Sequence, residues 1–84
     1  MTAKRRSKED QERLDRLKSA MLRDVASRGL SNADLAAMEL HTEAREGKIQ
    51  AYLYKVDLND GTQLTYKVTR EGVVSVNGVT LGDA

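Results

Sequence analysis

The chain has 84 residues, of which 39% are hydrophobic and 32% charged, and its formal net charge is +1. These values are typical of one small globular domain whose core is only marginally large enough for independent stability. The absence of Cys excludes disulfides, thiolate chemistry and cysteine-based zinc sites. No apolar run approaches the roughly 20 residues that a membrane span requires. No hydrophobic segment follows the first basic residues, as a secretory signal would require, so we expect a cytoplasmic protein.

The charge is distributed unevenly along the chain. Residues 1–28 carry nine Lys and Arg against five Asp and Glu, residues 31–47 carry one against four, and residues 48–84 carry four against four. Such asymmetry influences which partners are attracted rather than which fold forms. Residues 1–6 show no apolar periodicity and are predicted to form a flexible basic arm, followed by a single domain over residues 7–84.

Apolar residues spaced three and four apart predict a first helix from Ser7 to about Arg28. They are Leu14, Leu17, Met21 and Val25. Ser7 followed by Asp10 is a typical helix start, and Gly29 supplies the left-handed residue that often ends a helix. Leu30 is then expected to fold back onto the end of this helix.

Ser31 followed by Asp34 resembles a second helix start. This pattern predicts a second helix from Asn32 to about Glu46, ending at Gly47. Its apolar residues fall on two sides of a helical projection, which is typical of a helix covered both by a neighbouring helix and by a sheet.

Three turn signals predict an antiparallel meander in the C-terminal part of the chain. They are Asn59-Asp60-Gly61, Arg70-Glu71-Gly72 and Asn77-Gly78. Two three-residue loops and one type I′ turn at these positions set a single register. The expected pairs are Val56 with Leu64, Tyr54 with Tyr66, Tyr52 with Val68, Tyr66 with Val76, Val68 with Val74, Val76 with Val79, and Val74 with Leu81. All of these side chains then share one face of the sheet.

The predicted fold class is α+β, with two N-terminal helices packed on one face of a three- to four-stranded antiparallel β-meander. Tyr52, Tyr54 and Tyr66 are expected to point into the core. An alternative is a stacking platform for RNA bases, but the valines beside these rings favour a core. On the opposite face, Ile49 and Leu53 are expected to be neighbours on an edge strand that could pair with another chain, either by self-association or by adding a strand to a partner.

Two patterns resemble sites of chemistry. His41, the only histidine, could act as a general base or pH switch, but no nucleophile or second metal ligand accompanies it in sequence. Asp57 and the Asn59-Asp60-Gly61 sequence resemble the start of a calcium loop, but the Gly comes one position early and the later bidentate Glu is missing. We therefore expect no catalytic residue, no metal and no cofactor.

Basic residues in the arm and the first helix are candidates for binding nucleic-acid phosphates. They are Lys4, Arg5, Arg6, Lys8, Arg13, Arg16 and Arg23. The alternative is a solvated tail followed by a helix of mixed charge, because five acidic residues lie in the same segment.

The leading hypothesis is a small non-enzymatic interaction protein. It would be an inhibitor or adaptor of the phage or mobile-element type, acting by protein–protein contact on host transcription or defence machinery. The alternative is a nucleic-acid-binding regulator that uses the basic arm and first helix. A homodimer is compatible with either, since the apolar stripe of a long first helix could be completed by a second copy.

Overall fold

The computed structural model describes residues 8–81. One α-helix, α1 (Lys8–Ser27), is followed by a single 3-10 turn (Asn32–Asp34). Five strands follow, namely β1 (Leu35–Arg45), β2 (Lys48–Leu58), β3 (Gln63–Thr69), β4 (Val74–Val76) and β5 (Val79–Thr80). They form one antiparallel sheet in which each strand pairs with the next along the chain.

The first helix agrees with its prediction. The four apolar residues of its stripe are all buried. At its end, Gly29 has a φ of 78°, and the Leu30 N–H donates to the Val25 carbonyl over 3.1 Å. This is the hydrogen bond of a Schellman ending, and Leu30 packs at the margin of the core. The predicted cap at Ser7 and the predicted arm lie outside the described residues. Among residues 8–81, no helix is long and apolar enough to cross a membrane.

The predicted second helix is wrong. The Ser31 N–H donates to Asp34 Oδ2 over 2.8 Å, as expected of a helix start, but the helical turn stops at Asp34. The next eleven residues form β1 instead. Residues 8–81 therefore form one helix on a five-stranded sheet, not two helices on a three- to four-stranded meander.

The reason lies in the pairing of β1 with β2. Glu46 and Gly47 have φ values of 53° and 80°, which are those of a two-residue hairpin turn between Arg45 and Lys48. Gly47 therefore reverses the chain rather than ending a helix. The segment is rich in Ala, Leu and Glu, which favour helices, but the intrinsic preference is weak and the hairpin with β2 overrides it.

The predicted meander register is confirmed for the paired strands. All six predicted pairs that fall within β2 to β5 are present. The seventh, Val74 with Leu81, lies past the end of β5, where the Leu81 N–H donates to the Val74 carbonyl over 2.8 Å. The three glycines of the turns all have positive φ, as the predicted turn types require.

The core lies between α1 and the inner face of β2, β3 and β4. Tyr52 and Tyr66 are almost completely buried there, as predicted, whereas Tyr54 is half-buried. The other buried core residues are Leu14, Leu17, Met21, Val25, Val56, Leu58, Leu64, Val68, Val74 and Val76. The apolar stripe of α1 is thus covered by the chain's own sheet, and it is not available for a second copy as hypothesised.

The outer face of the sheet has a small buried patch of its own. Ala51 and Leu53 are buried there, although they do not belong to the main core. Lys67 on β3 and Glu43 on β1 form an ion pair of 3.1 Å that reaches across the intervening strand β2. Because Glu43 pairs with Ala51 and Lys67 with Leu53, this ion pair lies over both apolar side chains.

We predict that Leu17→Ala lowers the free energy of unfolding by about 2–5 kcal/mol, because Leu17 is fully buried and the change leaves a cavity. Leu22→Ala on the same helix is the control. Leu22 is 50% exposed, so its loss should cost less than about 1 kcal/mol. Urea unfolding followed by circular dichroism measures both. Equal losses for the two variants would contradict the packing of α1 described above.

Candidate interaction surface

Strand β1 has a sheet neighbour on one side only. It pairs with β2 along its length, and no other strand within residues 8–81 pairs with it. The free edge of an end strand carries unpaired backbone N–H and C=O groups that can accept another strand. At about 3.3 Å per residue, eleven residues give an edge of roughly 36 Å.

The helix-side face of β1 is apolar and largely uncovered. Helix α1 packs mainly on β2, β3 and β4. Met38 and Leu40 lie opposite Val56 and Tyr54 on this face and remain 47% and 38% exposed. Exposed apolar side chains that are neighbours on a strand are typical of contact surfaces.

Leu22 borders the same surface from the helix. Successive helical residues are about 100° apart, so Ala20 and Leu22 flank the buried Met21 on opposite sides. Ala20 lines a groove against β4 and β5. Leu22 therefore lies on the flank of α1 that faces β1. We call Leu22, Met38, Leu40 and Tyr54 the β1 apolar surface.

The outer face of β1 carries a row of polar side chains. His41 Nε2 is 3.3 Å from Glu39 Oε1, and both side chains are exposed. Glu39 lies opposite Lys55, and Glu43 forms the ion pair with Lys67. The expectation that His41 lies on a helix is thus wrong, and its contact with Glu39 is that of alternate residues on one strand face.

The two apolar site residues predicted from the sequence are separated by the structure. Strand β2 is interior, not an edge, and Leu53 is buried. Ile49 is 40% exposed, but it pairs with Ala44, whereas Leu53 pairs with His41. Ala44 and His41 are an odd number of residues apart on a regular stretch of β1, so Ile49 and Leu53 point to opposite faces. The irregularity at Gln50 causes this switch.

The predicted basic residues do not form a surface of positive charge alone in the described part of the chain. Lys4, Arg5 and Arg6 lie outside residues 8–81, and Lys8 is exposed at the start of α1. The Arg13 guanidinium donates to Asp10 Oδ1 over 2.8 Å and to the Arg70 carbonyl over 2.9 Å. It is therefore engaged in holding α1 to the loop between β3 and β4.

Arg16 and Arg23 line an open groove of about 860 Å³ between α1 and the β3–β4 loop, β4 and β5. Asp15 and Glu71 line the same groove, so its charge is mixed. Mixed charge weakens the positive potential that would attract phosphates to this groove.

The turn that resembles a calcium loop uses its polar groups internally. Asp60 Oδ1 accepts a hydrogen bond from the Thr62 N–H over 2.8 Å, and Asn59 donates to the Ala33 carbonyl over 2.8 Å. Asp57 accepts from Gln63 over 2.9 Å. Within residues 8–81, no three acidic, His or Cys side chains are grouped as metal ligands.

The most strongly coupled polar cluster joins the sheet to the helix. The Tyr66 hydroxyl donates to Asp24 Oδ2 over 2.6 Å, and Arg28 Nε donates to the same oxygen over 2.7 Å. Partial burial raises the pKa of Asp24, but the hydrogen bonds from Tyr66 and Arg28 outweigh it and bring the pKa below its ordinary value. Burial and the bond to Asp24 raise the pKa of Tyr66. All three groups are satisfied by each other, which indicates a structural role.

Met38 and Leu40 were not among the predicted surface residues, because the segment that contains them was predicted to be a helix. A signal for the strand was present, since Met38, Leu40 and Thr42 alternate with Glu39, His41 and Glu43. Alternation of this kind predicts a strand with two different faces.

Comparison with known proteins gave no relative: no protein-family model, no curated protein and no solved structure matches this chain.

We predict opposite outcomes for removing the hydroxyl groups of the two buried tyrosines. Tyr66→Phe should lower the free energy of unfolding by about 1–3 kcal/mol, because it removes a hydrogen bond to a charged acceptor. The Tyr52 hydroxyl is buried and has no hydrogen-bond partner among residues 8–81. Tyr52→Phe should therefore be neutral or stabilising by up to about 1–3 kcal/mol. Urea unfolding of both variants provides the measurement, and a larger loss in Tyr52→Phe than in Tyr66→Phe would contradict this assignment.

We predict that Asp24 contributes stability that is lost in acid. Its folded pKa lies below the ordinary value of 3.8, so the contribution is present above about pH 4 and is lost as the pH falls through the folded pKa. The difference in unfolding free energy between wild type and Asp24→Asn should be constant near neutral pH and shrink below about pH 4. Glu12→Gln, an exposed change on α1, is the control. A difference that grows in acid would contradict the prediction.

Proposed function

We propose that this protein is a non-enzymatic interaction module that contacts a protein partner through β1. The observation that carries the proposal is an eleven-residue strand with one sheet neighbour, on which Met38 and Leu40 are exposed and not covered by α1.

The geometry suits strand addition. In this binding mode, backbone hydrogen bonds along the edge supply affinity, and side chains on alternate positions supply specificity. The outer face of β1 offers acidic and histidine side chains, and the helix-side face offers apolar ones, so a partner strand would contact both.

The features that commonly protect an edge are only partly present in β1. The strand contains no Pro and no Lys, and its register shifts against β2 lie near its two ends, between Leu35 and Ala37 and between Glu43 and Ala44. Its acidic side chains Glu39 and Glu43 face Lys55 and Lys67 within the sheet. Natural proteins usually protect long edges with charged residues, Pro, bulges or a covering helix. The middle of this edge, where Met38 and Leu40 are exposed, is therefore the part best suited to a partner.

Two observations support a non-enzymatic role. The most coupled polar cluster, Tyr66 with Asp24 and Arg28, is internally satisfied, and the groove beside α1 is open and of mixed charge. A catalytic site would instead need a nucleophile, a base and a group that orients the base. The more specific expectation of a phage-type inhibitor of host transcription or defence complexes stays a prediction.

The nucleic-acid alternative has less support from the described residues. Arg13 is engaged by Asp10 and the Arg70 carbonyl, while Arg16 and Arg23 share their groove with acidic side chains. Contacts through Lys4, Arg5 and Arg6 stay a prediction.

We predict that the charge-introducing change Leu40→Lys abolishes capture of the partner, because it places an ammonium group in the β1 apolar surface. Ile49→Lys is a matched control, since Ile49 is equally exposed (40% against 38%) but lies on β2, away from the free edge. Affinity capture from nuclease-treated lysate of cells that also express an untagged copy of the chain, quantified by mass spectrometry, should show a protein, either this copy or another, that is retained by wild type and Ile49→Lys and lost by Leu40→Lys. Capture that is insensitive to Leu40→Lys, or recovery of nucleic acid alone without nuclease, would overturn the proposal.

A further inference from the structure

We infer that the partner of β1 is β1 of a second copy of this chain, paired antiparallel about Leu40, so that two five-stranded sheets join into one of ten strands. This inference rests on the proposed function, because it names the partner for the same edge. In a symmetric antiparallel pair, one residue lies opposite its own copy on a two-fold axis perpendicular to the sheet. Both helices then lie on the same side of the joined sheet.

The geometry of β1 favours Leu40 as the central residue. Leu40 is the midpoint of Leu35–Arg45, so this register overlaps all eleven residues. The stretch of β1 that pairs with β2 without a register shift runs from Ala37 to Glu43 and is also centred on Leu40. Any other centre leaves part of both strands unpaired.

The charges of the outer face select the same register. With Leu40 at the centre, Glu39 lies opposite His41 of the second copy, and this contact occurs twice across the axis. A neutral imidazole can donate a hydrogen bond to the carboxylate, and a protonated one forms an ion pair. With Glu39 at the centre, two carboxylates oppose each other, and with His41 at the centre, Glu39 opposes Glu43. Like charges directly opposite across a sheet are destabilising.

A register centred on Thr42 is also compatible with the charges, because it places His41 opposite Glu43 and Glu39 opposite Arg45. It overlaps only residues 39–45, however, and leaves Met38 beyond the end of the partner strand. The register centred on Leu40 buries more backbone and more apolar surface, and it is therefore favoured.

The helix-side face gains an apolar contact in this arrangement. Leu40 meets its own copy on the axis, and Met38 lies opposite Thr42. The two β1 apolar surfaces then adjoin in the space between the two α1 helices, where each reduces the area that the other exposes to water. Acidic side chains on the outer face do not prevent association, because Glu39 lies opposite Lys55 and Glu43 is paired with Lys67 within each copy.

Sedimentation equilibrium of the purified full chain, across a hundredfold range of concentration, tests the inference. We expect a reversible dimer of twice the 9.3 kDa chain mass. Leu40→Lys should raise the dissociation constant by about tenfold or more, since two lysines would meet on the axis, whereas Ile49→Lys should not. Circular dichroism and thermal unfolding establish that both variants are folded.

A mixing experiment tests the register itself. Glu39→His gives a copy with histidine at both positions 39 and 41, and His41→Glu gives a copy with a carboxylate at both positions. Each should self-associate more weakly than wild type, and an equimolar mixture should form the heterodimer, because every His then faces a Glu. No gain on mixing would overturn the register centred on Leu40.

The failure of this inference and that of the proposed function are distinguishable. A monomer at all concentrations, or a dimer that is unaffected by Leu40→Lys, overturns the self-pairing. If a different protein is then captured in a manner sensitive to Leu40→Lys, β1 still serves as the contact edge and the proposed function stands. If capture is insensitive as well, both are overturned.

Discussion

The pairing of β1 with β2 is the constraint on which the rest of the structure depends. It holds a segment of helix-favouring composition in an extended conformation, with Leu40 against Tyr54 and Met38 against Val56. The backbone hydrogen bonds of the hairpin and the turn at Glu46 and Gly47 replace those that a helix would have formed within the segment. Without this pairing, the sheet would end at β2, and the free edge would carry different residues.

A fifth strand makes the sheet wider than one helix can cover. The buried stripe of α1 meets β2, β3 and β4, and it leaves the helix-side face of β1 to solvent. A small domain buries little apolar surface, so leaving Met38 and Leu40 exposed lowers the stability of the fold unless a partner covers them. The outer face shows how such a cost is otherwise avoided, since the ion pair of Glu43 and Lys67 covers Leu53 there.

The sequence was sufficient for the parts of the fold that depend on local signals. The stripe of α1, the turns and the register of β2 to β5 each follow from spacing or from residues that tolerate positive φ. The sequence was not sufficient to identify β1 as a strand, because Ser31 and Asp34 begin a helical turn and the residues after them favour a helix. The extended conformation of this segment is decided by its pairing with β2, a tertiary interaction that overrides the local preference for helix. The same error placed the free edge of the sheet at Ile49 and Leu53 rather than on β1.

Nuclear magnetic resonance of the uniformly labelled chain is the most direct test of the central claim, that residues 35–45 form an edge strand registered on β2. The account predicts strand-type chemical shifts throughout this segment and a cross-strand nuclear Overhauser effect between Leu40 and Tyr54. It also predicts that amides on the free edge exchange faster in dilute than in concentrated samples. Helical shifts for the segment, or contacts between residues three apart along it, would contradict the account.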